Sequence, residues 1–182
     1  LVEAARQLKV GNGLDESVQM GPVISAAARD RILNYIEQGL SSGARLLLDG
    51  RGISVEGYPD GYFVGPTIFD QVTPEMTIAQ EEIFGPVLSI MQVDDFEGAL
   101  DVLHTSRYGN AASIFTASGK WAREFQYRVL AGNIGINVGI AAPVAAFPFS
   151  GMKDSFFGDL HGQGFDAINF FTERKVVIAR WF

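Results

Sequence analysis

Strand-like and helix-like segments alternate along the chain from residue 87 to residue 138. Short apolar runs, typical of buried strands, are separated by segments that begin at a capping residue, Asp95 or Ser118, as helices do. In order, these are an extended run at 87–93, a helix at 95–105, a run at 111–116, a helix at 118–130 and a run at 133–138. This alternation predicts an α/β fold with a mostly parallel sheet flanked by helices.

The preceding part of the chain contains the same kinds of segment. A helix is expected to begin at Ser25, because four apolar residues recur at helical spacing, and to end near Gly43, where glycine suits a left-handed C-cap. The four residues are Ile32, Leu33, Ile36 and Leu40. A helix tail at 1–9 and extended runs at 44–48, 62–64 and 67–69 complete the prediction for this part.

The last residues differ from the rest. A helix is expected to close at 167–171, and residues 175–180 form a β-branched, alternating run that would be apolar on both faces of a strand. A lone terminal strand would present an unpaired edge to water, so we expect a neighbouring subunit to cover it. The alternative is an internal edge strand of the same subunit. These features divide the chain at 1–171 and 172–182.

Composition excludes several classes of function. The formal net charge of −7 would repel a phosphate backbone, so nucleic acid is not expected as a partner. No run approaches the roughly 18 apolar residues that a membrane helix needs, so no membrane partner is expected. The chain has no cysteine, which excludes a thiol nucleophile or cysteine-ligated zinc within it. It begins at Leu1 without a signal-peptide pattern, and we expect it to be cut from a longer chain.

The segment 81–87, Glu-Glu-Ile-Phe-Gly-Pro-Val, supports two interpretations. It can be a polar turn before a strand, with Pro86 fixing the entry. It can also be a cofactor contact, because a carboxylate accepts hydrogen bonds from both hydroxyls of a ribose. The phenylalanine ring could then pack against a nicotinamide.

Four ordered motifs extend this observation over essentially the whole chain. They are Tyr-Phe-Val-Gly-Pro-Thr at 62–67, Glu-Glu-Ile-Phe-Gly-Pro at 81–86, Tyr-Gly at 108–109 and Pro-Phe-Ser-Gly-Met-Lys at 148–153. This set resembles the aldehyde dehydrogenase superfamily, of which the chain would be roughly the last third. The resemblance implies that Glu82 binds the nicotinamide ribose of NAD and that Phe84 contacts the nicotinamide. It also implies that Phe149, with Ile140 as a companion, lines the aldehyde tunnel.

A narrower resemblance begins after residue 137. The runs at 139–143, 147–151, 155–161 and 170–177 are similar to the methylmalonate-semialdehyde dehydrogenase branch, which is coenzyme A-acylating. One departure is Gly85, where some members of that branch carry alanine. The resemblance implies an aldehyde substrate, coenzyme A as co-substrate, and a dimer or tetramer. It also implies a cytoplasmic location, or the mitochondrial matrix in a eukaryote.

The mechanism that the resemblance implies needs groups that this chain lacks. In the family a cysteine thiolate attacks the aldehyde and hydride passes to NAD, which leaves a thioester on the enzyme. The thiol of coenzyme A then takes the acyl group and releases the cysteine, with loss of carbon dioxide from the substrate's carboxyl end. The nucleophile, the general base and the nucleotide-binding domain are expected upstream, so no catalytic residue is assigned here and the isolated chain should be inactive. A water-dependent semialdehyde or general aldehyde dehydrogenase, and a non-catalytic interaction module, remain alternatives.

Weaker patterns favour structural roles. Gly162, Gly164 and Ala167 fit G-x-G-x-x-A, but no strand precedes them, so a turn with close packing is expected instead of a dinucleotide cradle. His161 near Asp159 is expected to be a hydrogen-bonded structural histidine, and no metal site is predicted.

Overall fold

The computed structural model describes residues 1–182, which form two compact units, Leu1–Val93 and Asp94–Phe182. Both units combine short strands with helices, in agreement with the predicted α/β class. None of the helices has both the length and the apolar character that crossing a membrane requires.

The first unit contains a three-stranded sheet and one long helix. Its helices are α1 (Val2–Arg6), α2 (Ala26–Ser41) and α3 (Thr77–Gln80), and its strands are β1 (Arg45–Leu48), β2 (Thr67–Asp70) and β3 (Val87–Ser89). The central strand β2 pairs antiparallel with β1 and parallel with β3. This places β2 at the middle of the sheet, and its first three residues are buried.

Helix α2 supplies much of the apolar core of this unit. Its first turn is capped by Ser25, whose hydroxyl accepts a hydrogen bond from the Ala28 amide at 3.1 Å. Ile32 and Ile36, one turn apart, are fully buried and belong to the same apolar cluster as Phe69 of β2. The chain leaves the helix through Gly43, whose φ of 92° is the left-handed conformation expected there.

The second unit contains three helices and four strands. The helices are α4 (Phe96–Thr105), α5 (Gly119–Arg128) and α6 (Gly164–Phe171), and the strands are β4 (Tyr108–Gly109), β5 (Ala111–Ile114), β6 (Asn133–Ile136) and β7 (Met152–Lys153). Strands β5 and β6 pair parallel, whereas β4 and β7 pair antiparallel. Leu100 of α4 and Phe125 of α5 are buried in one apolar cluster with Val129 and Ala131.

The predicted pairing of strands differs from the observed one. We expected one parallel sheet from the strands at 87–93, 111–116 and 133–138, but β3 pairs with β2 and lies in a different sheet from β5 and β6. The physical reason is that local patterns indicate a strand without specifying its hydrogen-bonded neighbour. The extended segment expected at 62–64 joins no ladder, although Phe63 and Val64 are buried in the core.

Residues 172–182 form no strand in this structure and are exposed along their whole length. A strand is defined by its hydrogen-bonded partner, and no other segment of the chain pairs with the run at 175–180. No pairing within these 182 residues is seen, and pairing with a second subunit, or with another part of a full-length subunit, stays a prediction.

Candidate functional site

The loop that follows α3 is held to α2 at every second residue. The Glu81 carboxylate accepts a hydrogen bond from the Tyr35 hydroxyl at 2.5 Å. Ile83 is 7% exposed and packs in the core. Gly85 approaches α2 so closely that a Cβ added to it would lie 2.6 Å from Cδ1 of Ile32. Residues 81, 83 and 85 therefore act as three anchors.

Glu82 and Phe84, between these anchors, are exposed, as are Glu81 and Gly85 at the two ends of the loop. Phe84 is 74% exposed, an unusual position for a large aromatic ring, and its backbone has a φ of 60°. A bulky residue is rarely left-handed, and such strain often marks functional sites. Glu82 is exposed and its carboxylate makes no hydrogen bond or ion pair. The loop thus presents one uncommitted carboxylate and one uncovered aromatic ring.

A hollow of about 350 Å³ lies beside these residues. It is lined by Glu81, Glu82 and Phe84, together with Ile78, Ile83, Gly85, Val87 and Ser89. One oxygen of Glu81 is already an acceptor for Tyr35, whereas both oxygens of Glu82 are available. The geometry therefore favours Glu82 over its neighbour as the acceptor for a bound diol.

A second cavity of about 350 Å³ lies in the other unit and brings Phe149 and Ile140 together. Its further lining residues are Asn110, Ala111, Ala112, Ser113, Asn133, Gly139, Ala141 and Ala142. Phe149 is 37% exposed and Ile140 is 81% exposed, so Phe149 forms a wall while Ile140 lies at the open side. This cavity could hold a small, partly apolar molecule.

Asn133, at the start of β6, fixes the wall that carries Phe149. It is buried, and its amide donates to the Asn110 carbonyl at 3.0 Å and to the Ser150 carbonyl at 2.6 Å. The backbone at Gly151 also passes close to Gly132, because a Cβ added to Gly132 would lie 2.3 Å from the Gly151 nitrogen. The sequence analysis missed this role of Asn133, which depends on two contacts outside its own strand.

Asn137 ends the β5–β6 ladder and starts the loop that borders the cavity. Its φ is 56°, a left-handed conformation that asparagine tolerates better than most residues. Its side-chain oxygen accepts from the Thr116 amide at 2.8 Å, and its side-chain nitrogen donates to the Thr116 carbonyl at 3.0 Å. The side-chain amide of Asn137 therefore takes the place of backbone hydrogen bonds of the β5–β6 ladder where the chain leaves β6.

The weaker sequence patterns at His161 and Gly164 correspond to a hydrogen-bonded side chain and a closely packed glycine. His161 bonds to Asp166 at 3.0 Å, rather than to Asp159, and stacks on Phe156 with ring centroids 4.1 Å apart. Gly164 has a φ of 60°, and an added Cβ would lie 2.9 Å from the Ala146 carbonyl oxygen. Close packing is thus confirmed at Gly164, the first residue of α6, whereas nothing lies within 4 Å of a Cβ added to Gly162.

Comparisons with known proteins place the chain in a family. The family model of the aldehyde dehydrogenase family matches residues 1–177. The chain belongs to the aldehyde dehydrogenase family, which confirms the resemblance found in its motifs.

Individual relatives agree with the narrower resemblance. The chain is 50% identical to malonate-semialdehyde dehydrogenase 1 of Geobacillus thermodenitrificans over all 182 residues, which cover 37% of that protein. A methylmalonate-semialdehyde dehydrogenase structure from Oceanimonas doudoroffii superposes with a TM-score of 0.96 at 43% identity, covering 99% of this chain and 37% of that one. A Sinorhizobium meliloti protein described as a methylmalonate-semialdehyde dehydrogenase, solved with NAD, gives 0.96 at 42% identity, covering 100% of this chain and 37% of that one. The chain therefore spans just over a third of the length of these relatives.

Proposed function

We propose that this chain supplies the nicotinamide-side cofactor contact and part of the aldehyde tunnel of an NAD-dependent, coenzyme A-acylating (methyl)malonate-semialdehyde dehydrogenase. The observation that carries the proposal is the loop 81–85, which is anchored at alternate residues and presents Glu82 and Phe84 to solvent. Family membership and the NAD-bound relative support the same assignment.

In this proposal Glu82 and Phe84 contact different parts of the cofactor. The Glu82 carboxylate accepts hydrogen bonds from the two ribose hydroxyls, because both of its oxygens are available. The Phe84 ring packs against the nicotinamide and limits where that ring can lie. NAD, when bound, accepts the hydride that leaves the aldehyde carbon. The hollow beside the loop has the polar and aromatic lining that fits such a group.

The second cavity is proposed to receive the aldehyde. Phe149 forms its wall and Ile140 its open side, and the small side chains of Ala111 and Ala112 leave room between them. The names of the relatives support a malonate or methylmalonate semialdehyde as the substrate. Coenzyme A as acyl acceptor, with loss of carbon dioxide, is the finer part of the proposal.

The thiol that attacks the aldehyde must come from outside these 182 residues, because the chain contains no cysteine. We propose that the remaining length of the full enzyme supplies this nucleophile, the general base and the rest of the NAD site. The exposed run at 175–180 is proposed to pair with another subunit in a dimer or tetramer.

Replacing Glu82 by glutamine in the full-length enzyme tests the cofactor contact. Loss of a charge-assisted hydrogen bond costs about 1.5–3 kcal/mol, so KM for NAD should rise on the order of tenfold to a hundredfold. KM for the aldehyde should stay within about twofold. Glu81→Gln is the comparison variant and should raise KM for NAD less than Glu82→Gln does, because glutamine still offers an acceptor to Tyr35 and the residue does not bind the ribose in this proposal.

Two outcomes would count against the assignment. Unchanged NAD kinetics in Glu82→Gln would remove Glu82 from the site. A large effect in Glu81→Gln alone would move the ribose contact to the neighbouring residue.

The acyl acceptor is decided by an assay of the full-length enzyme with and without coenzyme A. We expect acyl-coenzyme A and carbon dioxide as products. NADH formation that is equally fast without coenzyme A, with the free acid as product, favours the water-dependent alternative.

A further inference from the structure

Tyr35 lies on the middle of α2, on the side that faces the loop 81–85. Its hydroxyl donates to Oε2 of Glu81 at 2.5 Å, a contact between residues 46 positions apart. It lies three residues after Ile32, the residue that touches Gly85, and one residue before the buried Ile36. One face of α2 therefore holds both ends of the loop.

We propose that Tyr35 is a positioning residue for the cofactor loop, acting through Glu81 to set where Glu82 places its carboxylate. The inference rests on the proposed function, because Glu82 matters to catalysis only if it binds the ribose.

The three anchors differ in what they can fix. Ile83 packs in the apolar core, and the exposed Gly85 passes close to the buried Ile32, so these two residues define how deep the loop lies. The Tyr35 bond is directional, because a short hydroxyl–carboxylate contact loses strength when its angle changes. It therefore fixes the orientation of Glu81, whose backbone is joined directly to that of Glu82.

The position of this bond predicts which kinetic constant responds. Glu82 is one residue from the anchored Glu81, whereas Phe84 lies between Ile83 and Gly85, which remain packed when the bond is lost. Removal of the hydroxyl should therefore loosen the ribose contact more than the nicotinamide contact. We expect weaker NAD binding with a smaller change in the rate of hydride transfer.

The experiment uses Tyr35→Phe in the full-length enzyme, because phenylalanine keeps the ring that packs on the helix. KM and Kd for NAD should rise about threefold to tenfold, as loss of one net hydrogen bond implies. KM for the aldehyde and the thermal midpoint should change little. Tyr58→Phe is the matched control, because its hydroxyl accepts from Asn12 at 2.7 Å in the same unit and has no contact with the loop.

A double-mutant cycle distinguishes positioning from general loosening. If Tyr35 acts through Glu81, adding Tyr35→Phe to Glu81→Ala should weaken NAD binding no further. Full additivity, or normal NAD affinity in Tyr35→Phe, overturns the inference even when Glu82→Gln is defective. Weaker NAD binding in Tyr35→Phe with normal Glu82→Gln removes Glu82 from the proposed function and also overturns the inference, because Tyr35 would then not act by placing the Glu82 carboxylate.

Discussion

The close approach of Gly85 to α2 predicts that adding a methyl group at this position lowers the stability of the protein. A methyl group at this position would lie 2.6 Å from Cδ1, 2.7 Å from Cγ1 and 3.1 Å from Cγ2 of Ile32. Carbon atoms in contact prefer about 3.5–4.0 Å, so the methyl would overlap with three atoms at once. Ile32 is 0% exposed and β-branched, and it cannot move aside without disturbing its neighbours.

The expected cost follows from this overlap. Overpacking a well-filled core costs about 1–3 kcal/mol. Replacing glycine by alanine where the backbone allows it returns about 0.4–1 kcal/mol through the unfolded chain. We therefore expect Gly85→Ala to destabilise the full-length enzyme by about 1–2 kcal/mol on balance. It should also raise KM for NAD, because the displaced residue ends the cofactor loop.

In a double-mutant cycle with Ile32→Ala, the effect of Gly85→Ala on stability should change sign. Ile32→Ala alone should cost about 2–5 kcal/mol, because it leaves a cavity next to Gly85. In that background Gly85→Ala fills part of the cavity, so it should be neutral or stabilising. Thermal midpoints of the wild type, the two single variants and the double variant measure this reversal.

Gly13→Ala serves as the control, because nothing lies within 4 Å of a Cβ added there. It should leave the midpoint nearly unchanged. If Gly85→Ala destabilises equally in both backgrounds, the contact with Ile32 is not the cause and the reasoning is refuted.

Three further predictions concern the rest of the site. Phe149→Ala should raise KM for the aldehyde about tenfold, since burying an aromatic ring against a small ligand contributes on the order of 1–3 kcal/mol; an unchanged aldehyde KM would remove Phe149 from the tunnel. Deleting residues 176–182 from the full-length enzyme should lower its mass in solution to that of a smaller assembly, measured by light scattering, whereas an intact oligomer would show that the segment does not hold subunits together. The purified 182-residue chain should oxidise no aldehyde in an NADH absorbance assay, because it contains no cysteine, and turnover above a buffer blank would contradict the proposed mechanism.

Local signals in the sequence predicted where the three longest helices begin, but not the short helix α3. Ser25, Asp95 and Ser118 were identified as helix starts, and each side chain accepts a hydrogen bond from the backbone amide three residues later. A cap is satisfied within one turn, so neighbouring residues contain the needed information. The partner of β3 was not predictable in this way, because β2 lies about twenty residues earlier and nothing in either strand specifies the pairing.

The same difference between local signals and contacts of distant segments applies to the candidate site. Glu82 and Phe84 could be singled out because a paired acid and an aromatic residue precede a strand in a recognisable motif. The role of Tyr35 could not, because its partner is 46 residues away and the contact exists only after α2 packs on the loop. His161 was correctly predicted to be hydrogen-bonded, and its partner is Asp166, because the turn through Gly164 brings α6 back toward it.

The exposed run at the end of the chain has a consequence for newly made protein. Residues 176–179 are exposed in this structure, and such an apolar, β-prone stretch can stack into aggregates. Lys175 and Arg180 bracket this stretch with positive charge, and copies aligned in register would place like charges on top of one another. In the proposed assembly these two charges would discourage aggregation of subunits that have not yet paired, while leaving the backbone edge of the run available.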